Sequence, residues 1–168
     1  MSRPFNLLFI CTRNSARSIL AESMVNANHS GRFIAYSAGT EPAIDPHPDA
    51  IALLEKTGYD ISGIRSKHLS EFMQPEAPQM DFVFTVCDRA ANEECASWPG
   101  KPITAHWSLP DPVAVKGTPS EIALAFRETL GALERRFAAF SALPLESLDR
   151  MSMQRAVDDI AETDSLST

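Results

Sequence analysis

Phe5-Asn6-Leu7-Leu8-Phe9-Ile10-Cys11-Thr12-Arg13-Asn14-Ser15-Ala16-Arg17-Ser18 is the stretch that decides the fold of this chain. Its apolar run, Phe5 to Ile10, reads as a buried strand and stops abruptly at Cys11. Beyond Ser18, Ile19-Leu20-Ala21-Glu22-Ser23-Met24-Val25 has helical spacing, so Cys11 to Ser18 is a loop between a strand and a helix. Working outward, Phe33 to Ser37 predicts a second strand, followed by Ala38-Gly39-Thr40 and a loop carrying Pro42, Pro46 and Pro48. Asp49 to Thr57 predicts a helix capped by Gly58.

Met80 to Val86 predicts a third strand that ends at Cys87, and Asp88 to Ala96 has helix-like composition. Pro102 to His106 is a weaker fourth strand leading into Leu109-Pro110-Asp111-Pro112. Thr118-Pro119-Ser120-Glu121 offers an N-cap, a first-turn proline and a capping-box glutamate. The stripe Ile122, Phe126, Leu130, Leu133, Phe137, Phe140 then marks one face of a long helix as core. Strands alternating with helices predict an α/β fold, a doubly wound parallel sheet with right-handed crossovers and helices on both faces. Ligands of such sheets sit beyond the carboxyl ends of the strands.

The 168 residues suit one domain. The pattern weakens after Ser141, which divides the chain into a domain over residues 1–141 and an acidic, Ser-rich tail over 142–168. That tail is expected to be peripheral, with a short helix around Met151 to Ala161 and then disorder. A net charge of −7 disfavours nucleic acid or an anionic membrane as the main partner. No apolar run approaches the roughly 20 residues of a membrane span, and the expected location is cytoplasmic. Three cysteines, Cys11, Cys87 and Cys95, cannot all pair at once, which invites a reactive reading.

Cys11, five residues and then Arg17 and Ser18, set between strand and helix, carry the strongest chemical signal. Backbone N–H groups of such a loop, backed by a helix N-terminus, cradle a tetrahedral oxyanion. Arg17 adds a planar fork that grips two oxygens, while Cys11 sits beneath the central atom as a thiolate nucleophile that needs no histidine base. The competing reading is a buried structural cysteine at a strand end. Thr12, Arg13, Asn14, Ser15, Ala16, Arg17 and Ser18 form the oxyanion-binding loop, with Asn14 and Ser15 shaping it and Ser18 donating to the Cys11 sulfur. Ser18 as a plain helix N-cap would occupy the same place. Asp111 stands in a loop past a strand, where Pro112 restricts it to an extended shape and a carboxyl would assist a leaving oxygen. Asp-Pro is also a frequent turn-initiating pair.

Cys11-Thr12-Arg13-Asn14-Ser15-Ala16-Arg17-Ser18, Ser37-Ala38-Gly39-Thr40, His106-Trp107 and Asp111-Pro112 together resemble the low-molecular-weight protein tyrosine phosphatase superfamily, in particular its thioredoxin-coupled arsenate reductase branch. The likeness covers roughly residues 5 to 140. It implies a four-stranded sheet of order 2-1-3-4, with Cys11 as nucleophile, Arg17 as oxyanion ligand and Asp111 as acid. In that order the first and third strands are neighbours, so Cys11 and Cys87 lie at strand ends about 4.8 Å apart. The resemblance further implies a relay. Cys11 attacks arsenate, Cys87 displaces arsenite by forming a disulfide with Cys11, and Cys95 takes over that disulfide and presents it to thioredoxin.

A helix over Asp88 to Glu94 would hold Cys87 and Cys95 about 12 Å apart, beyond the roughly 7 Å a disulfide allows, so their bridge requires that segment to unwind. Against the relay, Cys87 and Cys95 are also consistent with ordinary buried residues. Ala16 stands where some relatives carry an extra cysteine, and Val113 and Ala114 stand where phosphotyrosine phosphatases place aromatic rings, which weakens the alternative of a phosphomonoester phosphatase using Cys11, Arg17 and Asp111. Asn14, Glu22 and Ser37 match residues through which some members bind potassium, and Lys67 lies near the fourth position, where its ammonium would take the cation's place. His29, His47, His68 and His106 show no zinc-ligand spacing with cysteine. The expectation is a thioredoxin-dependent arsenate reductase without cofactor or required metal, for which phosphate and sulfate compete with arsenate.

Overall fold

β1 (Phe5–Cys11) lies inside the sheet, hydrogen-bonded on one side to β2 (Phe33–Gly39) and on the other to β3 (Phe82–Thr85), with β4 (Ile103–His106) outside β3. All pairs are parallel and the order is 2-1-3-4, as expected. The architecture comes from a computed structural model that describes residues 3–87 and 98–163. Cys95 and the helix-like stretch before it lie outside the described residues. The register pairs Cys11 with Gly39, Ile10 with Thr85, and Thr85 with His106, so the carboxyl ends of all four strands open on one edge.

Alternation puts Leu7 and Phe9 on the face they share with Phe82 and Phe84, and this face receives the helices. Phe140, from α3 (Pro119–Ser141), meets the rings of Phe82 and Phe84 edge-on at 4.9 and 5.4 Å. Phe9, Phe33, Phe82, Phe84, Trp107, Phe126, Phe137 and Phe140 are all fully buried, each worth about 1.5–3 kcal/mol in removed apolar surface. α1 (Arg17–Asn28) packs on β2, β1 and α3. The opposite face carries Tyr36, whose ring lies 5.5 Å from Phe72 in a 3-10 turn over Leu69–Phe72.

Local chemistry fixes the helix ends where the sequence placed them. α2 (Pro48–Thr57) stops at Gly58, whose φ of 90° is open to glycine at little cost. α3 starts at Thr118 with both bonds of the capping box formed to Glu121. β3 is shorter than the run from Met80 to Val86, yet Asp81 N and Val86 N still donate to Asn6 O and Ile10 O, both at 2.8 Å.

The stretch after Ser141 departs from the expected loose periphery. The helix there, α4 (Arg150–Thr163), packs against β4 and α3. Val157 is fully buried, and its carbonyl accepts from Trp107 Nε1 at 3.0 Å. Met153, Val157, Ile160 and Ala161 supply the contacts, a stripe narrow enough to be masked by the acidic residues around it. Among the described residues no helix is long and apolar enough to cross a membrane.

Candidate active site

The loop from Cys11 to Arg17 is held by its carbonyls. Glu41 N donates to Thr12 O, Ala43 N to Arg13 O, His47 N to Ser15 O, and the Ser66 hydroxyl to Asn14 O, at 2.7 to 2.9 Å. No acceptor among the described residues is bonded to the loop N–H groups from Arg13 to Arg17. Carbonyls tied outward and donors left inward is the polarity of an oxyanion cradle. The helix behind it begins at Ala16 with no side-chain cap and no acid in its first turn, so its positive end is not neutralised.

Asn14 sits at φ 48°, a left-handed conformation that asparagine tolerates better than most residues. Its amide is spent entirely on the site. Nδ2 donates to Ser18 Oγ at 2.8 Å and to Ser37 Oγ at 3.0 Å, and Oδ1 accepts from Lys67 N at 2.9 Å. Gly39 lies against this turn so closely that a Cβ there would stand 2.6 Å from Thr12 O and 3.0 Å from Asn14 N.

Cys11 Sγ lies 2.8 Å from Ser18 Oγ, and both residues are buried. Ser18 Oγ also accepts from Asn14 Nδ2 at 2.8 Å, so this hydroxyl bridges the Asn14 amide and the Cys11 sulfur. The structure places the α1 N-cap at Ala16, so the plain capping role weighed for Ser18 falls away.

Behind Ser37 is a buried ion pair. The Ser37 hydroxyl donates to Glu22, and Lys67 Nζ lies 3.6 Å from Glu22 Oε1, 3.4 Å from Ser37 Oγ and 2.9 Å from Arg65 O. Burial pushes the Glu22 carboxyl up and the Lys67 ammonium down, and in each case the attraction of the partner opposes it. Lys67 therefore brings its charge to Glu22 and Ser37 and its backbone N–H to Asn14, the three residues matched to a cation site in the sequence. No cluster of three or more His, Cys, Asp or Glu among the described residues is arranged for a metal ion.

Arg17 Nη1 donates to Leu109 O at 2.9 Å, and Nη2 lies 3.6 Å from Asp111 Oδ2. These contacts bring the loop after β4 to the loop between Cys11 and Arg17. Asp111 also caps the 3-10 turn Pro112–Ala114 by accepting from Val113 N at 3.0 Å, so its turn-forming reading and its place beside Arg17 coexist. Val113 is 43% exposed.

Cys87 follows β3 and is buried, with its Sγ 3.5 Å from Thr12 Oγ1. A second thiol thus abuts the residue that follows Cys11. Four supports of the site escaped the sequence reading. Leu109 O and the amides of Glu41 and Ala43 act through backbone, which leaves no side-chain signature, and Ser66 is one polar residue among many in its loop.

Comparison with known proteins agrees with this geometry. Residues 6–154 match the family described as low molecular weight phosphotyrosine protein phosphatase. A curated arsenate reductase of Halalkalibacterium halodurans is 31% identical over 135 residues, covering 80% of this chain and 94% of its own. A solved arsenate reductase from Archaeoglobus fulgidus is 26% identical, covers 77% of this chain and 94% of its own, and superposes with a TM-score of 0.58. A thioredoxin-dependent arsenate reductase of Corynebacterium glutamicum shares the fold with a TM-score of 0.59 at 24% identity, covering 82% of this chain and 63% of its own. Sheet order, loop and matched length agree: the chain belongs to the low molecular weight phosphotyrosine protein phosphatase family, with arsenate reductases among its relatives.

Proposed function

We propose that this chain reduces arsenate to arsenite through a cysteine relay. The Cys11 thiolate attacks arsenic, and an oxygen departs as water with a proton from Asp111, while Arg17 and the loop N–H groups hold the remaining oxygens. The Cys87 thiolate then attacks Cys11 Sγ. A sulfur–sulfur bond forms, the sulfur–arsenic bond breaks, and its electron pair stays on arsenic, which leaves as arsenite. Cys95 attacks Cys87 Sγ next and releases Cys11 as a thiolate. An external dithiol protein, thioredoxin in this reading, reduces the Cys87–Cys95 bridge.

The observation that carries the reading is the Cys87 thiol lodged 3.5 Å from Thr12 Oγ1, beside the loop that holds the nucleophile. A phosphatase needs no such neighbour. The similarity to curated arsenate reductases over 80% of the chain supports the same choice. The test is arsenate-dependent NADPH oxidation in the presence of thioredoxin and thioredoxin reductase, expected with the native chain and absent in Cys87→Ser and Cys95→Ser. Full multiple turnover in both variants would overturn the relay.

The family description favours a second reading, a phosphomonoesterase using Cys11, Arg17 and Asp111. Turnover of phosphotyrosine peptides that survives Cys87→Ser undiminished would favour it over arsenate reduction.

A further inference from the structure

Arg136 is 1% exposed, and neither the Cys11 loop nor the cysteines account for a guanidinium inside the core. It is mounted on α3, and its Nη1 donates to Trp107 O at 2.8 Å and to Ser108 O at 3.1 Å, which uses both protons of that nitrogen. The next carbonyl along, Leu109 O, accepts from Arg17 Nη1 at 2.9 Å. Three successive carbonyls on the way from β4 to Asp111 are therefore held by two arginines, one from α3 and one from the start of α1.

This stretch has few other means of holding its path. Trp107 N and Leu109 N donate to Thr85 O and Val86 O, but Pro110 and Pro112 have no N–H with which to continue the ladder. The turn that carries the carboxylate is bonded to itself: Val113 N donates to Asp111 Oδ1, Ala114 N to Asp111 O and Val115 N to Pro112 O. A cavity of about 190 Å³ is lined by Pro110, Pro112 and Val115 of this stretch and by Ala125 and Thr129 of α3, so packing there leaves room for the turn to shift. Where the turn stands then depends on the carbonyls anchored at its root. α3 is a stiff mount for that anchor, because Phe137 and Phe140 beside Arg136 are fully buried against Phe33 and Phe82.

We infer that Arg136 is a positioning residue: by tying the Trp107 and Ser108 carbonyls to α3, it sets the Asp111 carboxyl beside Arg17, 3.6 Å away, where a departing oxygen takes its proton. The inference rests on the proposed role of Asp111 as acid, and not on the disulfide relay that follows. In that role Arg17 is shared with the oxyanion, whereas Arg136 is enclosed in the core and holds the same carbonyls whether or not the site is filled. The step slowed by losing Arg136 is therefore departure of the oxygen, not oxyanion capture.

The experiment uses the full chain and measures kcat/KM for arsenate in the thioredoxin-coupled assay, together with the inhibition constant of inorganic phosphate, which reads binding alone. Arg136→Met, similar in length but without donors, should lower kcat/KM about tenfold to a hundredfold, the scale of a displacement of about 1 Å at a reacting group, and leave phosphate inhibition unchanged. Arg136→Lys keeps a charged donor that reaches one carbonyl, so its kcat/KM should fall less, and it carries the test where Arg136→Met does not fold. In a chain that already has Asp111→Asn, Arg136→Met should lower kcat/KM no further, because it acts through that carboxyl. Native kcat/KM in both Arg136 variants, beside a loss in Asp111→Asn, would overturn the inference and leave the acid standing. Phosphate inhibition weakened in step with kcat/KM, or a further loss on top of Asp111→Asn, would overturn it too by showing a general structural role. If Asp111→Asn itself kept native kcat/KM, the acid role would fall and the inference with it. A native chain inert towards arsenate would sink arsenate reduction, and the same comparison on an aryl phosphate would then decide, since Asp111 has the same task there.

Discussion

The Asn14 amide donates to Ser18 Oγ at 2.8 Å, and the same oxygen lies 2.8 Å from Cys11 Sγ, so Ser18 links the left-handed turn to the nucleophile. Ser18→Ala removes a hydrogen bond to a charged sulfur, worth about 1.5–3 kcal/mol. The expected result is a rate of Cys11 alkylation by iodoacetamide at pH 7 lowered about tenfold or more, with phosphate still protecting. An unchanged alkylation rate would mean the loop N–H groups alone sustain the thiolate.

Gly39→Ala tests the packing of the loop. The new Cβ would stand 2.6 Å from Thr12 O, a backbone atom that cannot swing aside. The variant is expected to fold, because the strain falls at a strand end, and to lose phosphate protection of Cys11 together with arsenate turnover. Isothermal titration with phosphate checks the binding half directly.

Lys67→Met leaves the Glu22 carboxylate buried without its cation. Removing one partner of a buried pair costs about 3–5 kcal/mol, and at this chain length each kcal/mol moves the melting temperature by about 2–4 °C. The melting temperature should therefore fall by roughly 6–20 °C, and Glu22→Gln in the same chain should restore part of the loss. Added potassium should raise the melting temperature of Lys67→Ala and leave the native chain unmoved.

His29 gives a pH dependence of known sign. Burial, seconded by Arg32, pushes its imidazole below the ordinary value, and its ring packs edge-on against Phe33 and Phe137 at 6.4 and 4.8 Å. The unfolded chain binds that proton more readily, at about pH 6.5, so stability is full above this value and declines as pH falls through it toward the folded value. His29→Phe, which cannot take up the proton, should show a smaller drop in melting temperature between pH 7.5 and pH 5.5 than the native chain. An equal drop would assign the acid sensitivity elsewhere.

The frame of the fold was legible because each signal was local. The apolar run into Cys11, Gly58 after α2 and the capping box at Thr118 each specify a boundary by nearby chemistry, and each appears in the structure. The order 2-1-3-4 came from family resemblance, since which strands become neighbours is a long-range outcome. α4 was underread because Val157 gains its burial from elements distant in sequence, among them β4 and Trp107, the latter 50 residues away. In the candidate site the structure sets Arg17 beside Asp111; Cys11 and Arg17 were legible from their spacing and Asp111 through the family resemblance. The left-handed turn at Asn14 and the Leu109 carbonyl that aims Arg17 were not, because both depend on backbone meeting backbone in three dimensions.

The central claim is that the oxyanion chemistry of Cys11 ends in disulfides, and mass spectrometry of thiols after arsenate exposure tests it most directly. In the native chain, one equivalent of arsenate without added reductant should yield a Cys87–Cys95 bridge and free Cys11, and in Cys95→Ser a Cys11–Cys87 bridge. Three free thiols in the native chain after arsenate exposure, or arsenite appearing from Cys87→Ser as fast as from the native chain, would contradict it.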